Sequence, residues 1–275
     1  QDSPQECSLP LDDPAADRTE ASADTCSVQF TREETEALLR EAPAAYHTQV
    51  NDILLAALAQ TFHRWTGKDH LLLDLEGHGR EPFVAGTDLS RTVGWFTSIY
   101  PFLLRLPQGS TGEGVKGVKE QLRAVPSGGV GYGLLRYLSR HPDAAGLRHQ
   151  TAPQICFNYL GQLDRGTNGQ TLFELAGGPT GKEHGASNRM RYEFNINADI
   201  TDGCRTVSWT YSAARVSRAT MDMLAASYRR HLREVIAHCW SPEAGGYTPS
   251  DFPDVQLGQD DLDTILQSME RSHAR

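Results

Sequence analysis

Between about residue 27 and residue 239 the spacing of apolar residues switches repeatedly between a period of two and a period of 3.6, and that interleaving most constrains how this chain can fold. Strand-like runs occur at Cys26-Ser27-Val28-Gln29-Phe30, at Leu71 to Leu75, at Ser98 to Leu106 and at Gln154 to Leu160. Tyr192 to Ile200 and Thr206 to Ala213 alternate around Asp202-Gly203, which predicts a hairpin. Helical spacing fills the intervals. Thr31 followed by Glu34 is a capping box opening a helix to about Arg40. From Thr48 to about Thr66, Val50, Ile53, Leu54, Ala57, Leu58 and Phe62 form one apolar stripe, and Gly67 is placed to end the helix. Further helices are predicted over Glu113 to Val125, Gly133 to Arg140 and Met221 to Cys239. The alternation predicts an α/β layer fold, a mixed β-sheet flanked by helices.

The ends and one internal stretch depart from this pattern. Residues 1–26 are rich in Pro, Asp, Ser, Ala and Glu without hydrophobic period and read as a linker or N-terminal arm. The folded body is expected over 27–265, with 266–275 a tail. Residues 162 to 190 form a long, polar, Gly-rich excursion, a length that usually has a functional reason.

Charge and cysteine usage exclude several classes of function. A formal net charge of −9 argues against nucleic acid or an anionic membrane as the partner, since both select basic surfaces. No apolar run approaches the roughly 20 residues that span a bilayer, and no leader-like segment opens the chain. Cys7, Cys26, Cys156, Cys204 and Cys239 are odd in number and lack a CxxC pair, so reduced thiols in a cytoplasmic protein are expected. The 10 histidines show no close metal-ligand spacing, and no metal site is expected.

The chemistry-bearing segment is Glu76-Gly77-His78-Gly79-Arg80-Glu81, at the end of the apolar strand run. An ionisable group at the mouth of a buried strand is where burial can raise a pKa toward proton transfer, although a Glu there also fits a solvated surface position. Arg80 fits either a group that orients carboxylates or an ion pair with Glu81 or Asp74. Asn158 and Tyr159 end a strand and offer an amide and a phenol to a cleft, or serve a turn and the core. His78 between two glycines reads as a hydrogen-bonded imidazole more readily than as a base, and Trp95 and Phe96 read as core or tunnel lining, core favoured. The Gly-rich stretch from Pro126 to Gly133 lacks the lysine and the strand-to-helix GxGxxG of a nucleotide site.

Taken in order, these segments resemble the C-terminal half of an epimerization domain of nonribosomal peptide synthetases, a branch of the condensation-domain superfamily. The resemblance rests on NDILLAAL at Asn51 to Leu58, EGHGRE at Glu76 to Glu81, RTVGWFT at Arg91 to Thr97 with Tyr100-Pro101, PSGGVGYG at Pro126 to Gly133, FNYLG at Phe157 to Gly161, and TPSDFP at Thr248 to Pro253. It implies one chloramphenicol-acetyltransferase-like lobe. It also implies Glu76 as acid/base in α-carbon inversion of a thioester on a carrier protein's phosphopantetheine, with Arg80, Asn158 and Tyr159 in the catalytic set. His78, Trp95, Phe96 and Tyr132 would line the substrate tunnel. No directly bound cofactor is implied; the partners would be a peptidyl carrier protein and an N-terminal lobe bearing HHxxxDG, a pattern absent from these 275 residues. The alternative is a condensation-like binding module, or a synthetase fragment, that no longer turns over. Half of a cleft facing solvent would leave an apolar or Gly-rich face prone to associate.

Overall fold

Period-two segments become six strands of one sheet because alternate residues can bury one face while the other meets solvent. The computed structural model describes residues 8–81, 86–107, 109–162, 181, 183–255 and 257–273; most of the polar excursion therefore lies outside the described residues. The strands are β1 (Ala23–Gln29), β2 (His70–Gly77), β3 (Ser98–Arg105), β4 (Ile155–Gln162), β5 (Phe194–Thr201) and β6 (Cys204–Ser212), in the order β1-β6-β5-β4-β2-β3. Parallel pairing joins β2 to β4 and β4 to β5; the other neighbours are antiparallel. The expected mixed sheet flanked by helices is the observed one. Asp202 and Gly203 turn the β5–β6 hairpin with φ of 54° and 73°.

The helices are α1 (Arg32–Glu36), α2 (Ala42–Tyr46), α3 (Val50–Thr66), α4 (Thr111–Arg123), α5 (Val130–Gly133), α6 (Arg218–Cys239) and α7 (Gln259–His273). Thr31 and Glu34 close the predicted capping box of α1. The chain does not stop at Arg40. It continues through a π-helical turn at Ala37–Glu41 into α2, because Pro43 falls in the first turn, where its missing N–H costs nothing, and Ala42 and Tyr46 are buried. Gly67 ends α3 in the left-handed region, as its position predicts. The helix expected from Gly133 begins earlier, at Val130, and passes into a π-helical turn at Leu134–Leu138. Residues read as a tail continue α7 to His273.

One face of the sheet carries the core. Leu73, Leu75, Phe157, Ile196, Ala198, Val207, Trp209 and Val28 point to the side covered by α3 and α6. Trp209 stacks on Phe62 and meets Phe194 and Tyr228 edge-on, at centroid distances of 6.0, 6.2 and 5.7 Å. Burying such rings supplies the largest apolar contributions available to a sheet-on-helix layer. Upstream of β1, the arm is docked: Leu9 is buried, its N–H donates to Gln154 Oε1 at 2.9 Å, and Arg18 pairs with Glu193 at 2.7 Å. At the other end the fully buried Lys119 holds Asp251 at 2.6 and 2.7 Å, pinning the Thr248–Phe252 segment to α4.

Candidate active site on the open face of the sheet

The other face is polar, and this follows from the strand alternation. Register places Glu76 of β2 beside Asn158 of β4, Asn158 beside Asn197 of β5, Asn197 beside Ser208 of β6 and Ser208 beside Ser27 of β1. Adjacent members of such a row lie about 4.8 Å apart across the sheet. The next row, Asp74, Cys156, Asn195 and Thr210, runs alongside. Helices α3 and α6 cover the opposite face, so these side chains look outward.

Glu76 is half-buried, and among the described residues its carboxylate makes no hydrogen bond and no ion pair. Burial raises its pKa above the ordinary carboxylate value because the charged form loses hydration without a compensating cation. The Asn158 amide next to it is likewise unpartnered among the described residues. Two residues upstream, Asp74 has the opposite fate. It is buried, and its Oδ2 accepts from the Tyr192 hydroxyl at 2.6 Å and from Arg191 at 3.4 Å. Burial and this carboxylate together push the Tyr192 phenol well above its usual range, so it stays protonated as a donor. Cys156 is pushed up to about 12, by burial first and then by the charges of Glu76 and Asp74, so it is a neutral thiol and not a nucleophile.

Beyond Glu76 the chain is held by close approach. At Gly79, with φ of 65°, a Cβ would collide with the Phe96 carbonyl, so only glycine lets the EGHGRE turn lie against the 91–97 segment. Arg80 secures the same contact. Its guanidinium donates to the carbonyls of Leu89 at 2.6 Å and Thr92 at 2.9 Å and stacks 4.4 Å over the Phe96 ring. It pairs with neither Glu81 nor Asp74, because the carbonyls of the following loop satisfy it instead. His78 Nδ1 accepts from the Arg80 N–H at 3.0 Å, and Nε2 faces Glu81 at 3.4 Å, so the imidazole is a local brace of this turn. At Gly129, with φ of 80°, a Cβ would collide with the Tyr100 ring, so this close approach brings the 126–133 segment against β3.

A groove of about 760 Å³ opens on this face over β2 and β3, walled by Trp95, Phe96, Ile99, Tyr132, Tyr137 and Asp74 among others. Trp95 is 90% exposed and lies on the groove wall, so the favoured reading of it as core is corrected: its loop projects from the body and tucks Phe96 under Arg80 instead. Tyr159 also departs from expectation. Alternation turns it to the helix side, 4.9 Å from the guanidinium of the fully buried Arg205, while Asn158 faces Glu76, so the two do not offer their side chains to one cleft. The structure thus brings together Glu76 and Asn158 and sets Trp95, Phe96 and Tyr132 around the adjoining groove, whereas neither Glu76 nor His78 lines that groove and Tyr159 lies behind the sheet. Asp74, expected above only as a possible ion-pair partner of Arg80, shares the face of Glu76, and a carboxylate at period two from Glu76 within a leucine run is the sequence signal for it. Tyr192, Arg191 and Arg136 carried no such signal. Among the described residues there is no cluster of groups fit to hold a metal ion, and no helix is long and apolar enough to cross a membrane.

A condensation-domain sequence profile matches residues 1–257. A linear gramicidin synthase protein of Brevibacillus parabrevis is 44% identical over 268 residues, covering 96% of this chain and 5% of that protein. Chondramide synthase of Chondromyces crocatus is 44% identical over 261 residues, covering 95% of this chain and 7% of that one. Among solved structures, the epimerization domain from the third module of tyrocidine synthetase B superposes with a TM-score of 0.78 at 37% identity, over 84% of this chain and 52% of that chain. The X-domain in complex with OxyB from teicoplanin biosynthesis shares the fold at a TM-score of 0.56 and 18% identity. The chain therefore spans a small fraction of its synthase relatives and about half of the epimerization-domain chain.

Proposed function

The chain belongs to the condensation-domain family, and from that premise we propose that it is the C-terminal lobe of a peptide-synthetase epimerization domain, with Glu76 as one of two acid/base groups. The substrate is an aminoacyl or peptidyl thioester on the phosphopantetheine of a carrier protein. Inversion requires removal of the α-proton on one face and its return on the other, with the thioester oxygen stabilised between. The single observation carrying this reading is that Glu76 is desolvated and has no counter-charge among the described residues. A carboxylate in that state holds a proton more tightly than usual, which suits it to both take and return one.

Asn158, the register partner of Glu76, is assigned the donation of its amide to the developing enolate oxygen. Arg80 positions rather than reacts: it ties the Leu89–Gly94 carbonyls into the wall beside Glu76. The second acid/base group is assigned to the HHxxxDG histidine of an N-terminal lobe. That lobe is the partner for the exposed apolar rim of Val93, Trp95, Leu134, Leu135, Tyr137 and Leu138. A solvent-exposed rim of this size is expected to make the chain associate when it is alone.

The test is exchange of the substrate α-proton with solvent deuterium by the chain together with an HHxxxDG lobe and a loaded carrier. Glu76→Gln is expected to reduce exchange by about 10²–10⁴-fold. Undiminished exchange in that variant refutes the assignment.

A further inference from the structure

Near the start of β6, Arg205 is fully enclosed, one of the largest side chains the fold buries completely. Its backbone is fixed on both sides: the N–H donates to Thr35 Oγ1 at 2.9 Å, and the carbonyl accepts from the Phe30 N–H at 3.0 Å. Its side chain is not matched in this way. Nε and Nη1 make no hydrogen bond, and no carboxylate lies within ion-pair distance among the described residues. The polar head meets Tyr159 instead, with the guanidinium 4.9 Å from the ring centroid and Nη2 3.5 Å from the hydroxyl. A buried guanidinium without a counter-ion costs stability, whereas a methionine of similar length would not. Tyr159 is also where β4 leaves register. Pairing with β5 runs in step from Ile155 to Tyr159 and then slips, so that Gly161, with φ of 74°, faces Asp199 and Leu160 is left over and exposed. A bulge of this kind ends regular pairing and re-aims the side chains beside it. Asn158 is the residue immediately before.

We propose that Arg205 is a positioning residue for the reaction: clamped on Tyr159 from the helix side, it holds the last in-register residue of β4 and so fixes the direction of the Asn158 amide on the open side, beside Glu76. The inference rests on the acid/base reading above, in which that amide receives the enolate oxygen. Adjacent strand residues project to opposite faces, so a rotation of the strand about its axis at Tyr159 swings Asn158 with it. Beyond the bulge the ladder gives little resistance to that rotation, and the side-chain clamp supplies it. A planar cation suits the task because it stacks on a ring, which a compact ammonium does less well. Arg205 lies behind the sheet from Glu76 and takes no part in proton transfer itself.

With the chain assembled on an HHxxxDG lobe and a loaded carrier, Arg205→Met is expected to lower kcat for α-proton exchange by about 10–100-fold at unchanged KM, the scale of a misplaced transition-state donor. Its urea midpoint should equal or exceed the parent's, because an unpaired buried charge is gone. Arg205→Lys should recover part of the rate. Tyr159→Leu should lose rate by a similar factor, and the double variant should lose no more than either change alone. In backbone amide hydrogen exchange of the chain by itself, Arg205→Met should lose protection from Phe157 to Gln162 and nowhere else. An unchanged kcat, an effect confined to KM, a lowered midpoint, additive losses or unaltered protection at the end of β4 overturns the proposal. A variant that does not fold counts as a lowered midpoint, since the role would then be structural. Undiminished exchange in Glu76→Gln would remove the acid/base assignment, while amide protection would still report whether Arg205 holds β4, so the two ideas fail separately.

Discussion

The two faces of the six-stranded sheet are made by the same strands and behave as opposites. On the helix side, Trp209, Phe194 and Phe62 interlock and each ring has aromatic neighbours. On the open side, Glu76, Asn158 and Asn197 stand in register and make no side-chain hydrogen bonds among the described residues. The same contrast recurs within β2: Asp74 is buried and bonded by Tyr192 and Arg191, whereas Glu76, on the same face two residues on, has no partner among the described residues. One face spends its side chains on packing. The other keeps hydrogen-bonding capacity in reserve, as the proposed acid/base role of Glu76 requires.

Three substitutions measure how deep that contrast runs. Trp209→Ala on the packed face should lower the free energy of unfolding by about 3–5 kcal/mol, read from the shift of a urea denaturation midpoint. A loss well below that would mean the helix layer is not the main source of stability.

A smaller effect, and of opposite sign, is expected for Glu76→Gln. Burial raises the folded-state pKa of Glu76, so the neutral form is favoured in the fold. The cost of its charge is absent below the ordinary carboxylate value and grows as pH rises from there through the folded pKa. Gln cannot ionise, so thermal melts should match at about pH 3.5 and the variant should melt higher at about pH 7. A variant less stable than the parent at neutral pH would show that the carboxylate has a stabilising partner after all. The smallest effect belongs to Asn197→Ala, expected to change stability by no more than about 0.5 kcal/mol, since its amide bonds nothing among the described residues. A larger loss would mark the open face as structural.

Much of this architecture could be read in advance because its causes are local. A capping box, a left-handed glycine after α3 and a hairpin turn at Asp202-Gly203 each act over four or five residues, and all three appear as predicted. Boundaries moved where packing extended an element: the helical run opened by α1 continued past Arg40 into α2 because Ala42 and Tyr46 found the core, and α7 ran to His273 with Leu262 as its buried anchor. Tyr159 differs from expectation for a different reason: neighbours on a strand point to opposite faces, so Tyr159 and Asn158 cannot share one cleft.

By itself, then, the sequence determined which segments are strands and helices, which residues share a strand face, and that Glu76 ends an apolar run beside glycines that allow close approach. Only the tertiary structure decided what surrounds that carboxylate. Asn158 lies 82 positions from Glu76 in the chain, and the Tyr192 that occupies Asp74 is 118 positions from it. Whether a charge is paired depends on which distant strands become neighbours. That choice is made by burial of the opposite, apolar face, so the chemistry of the open face follows from packing in which its own residues take no part.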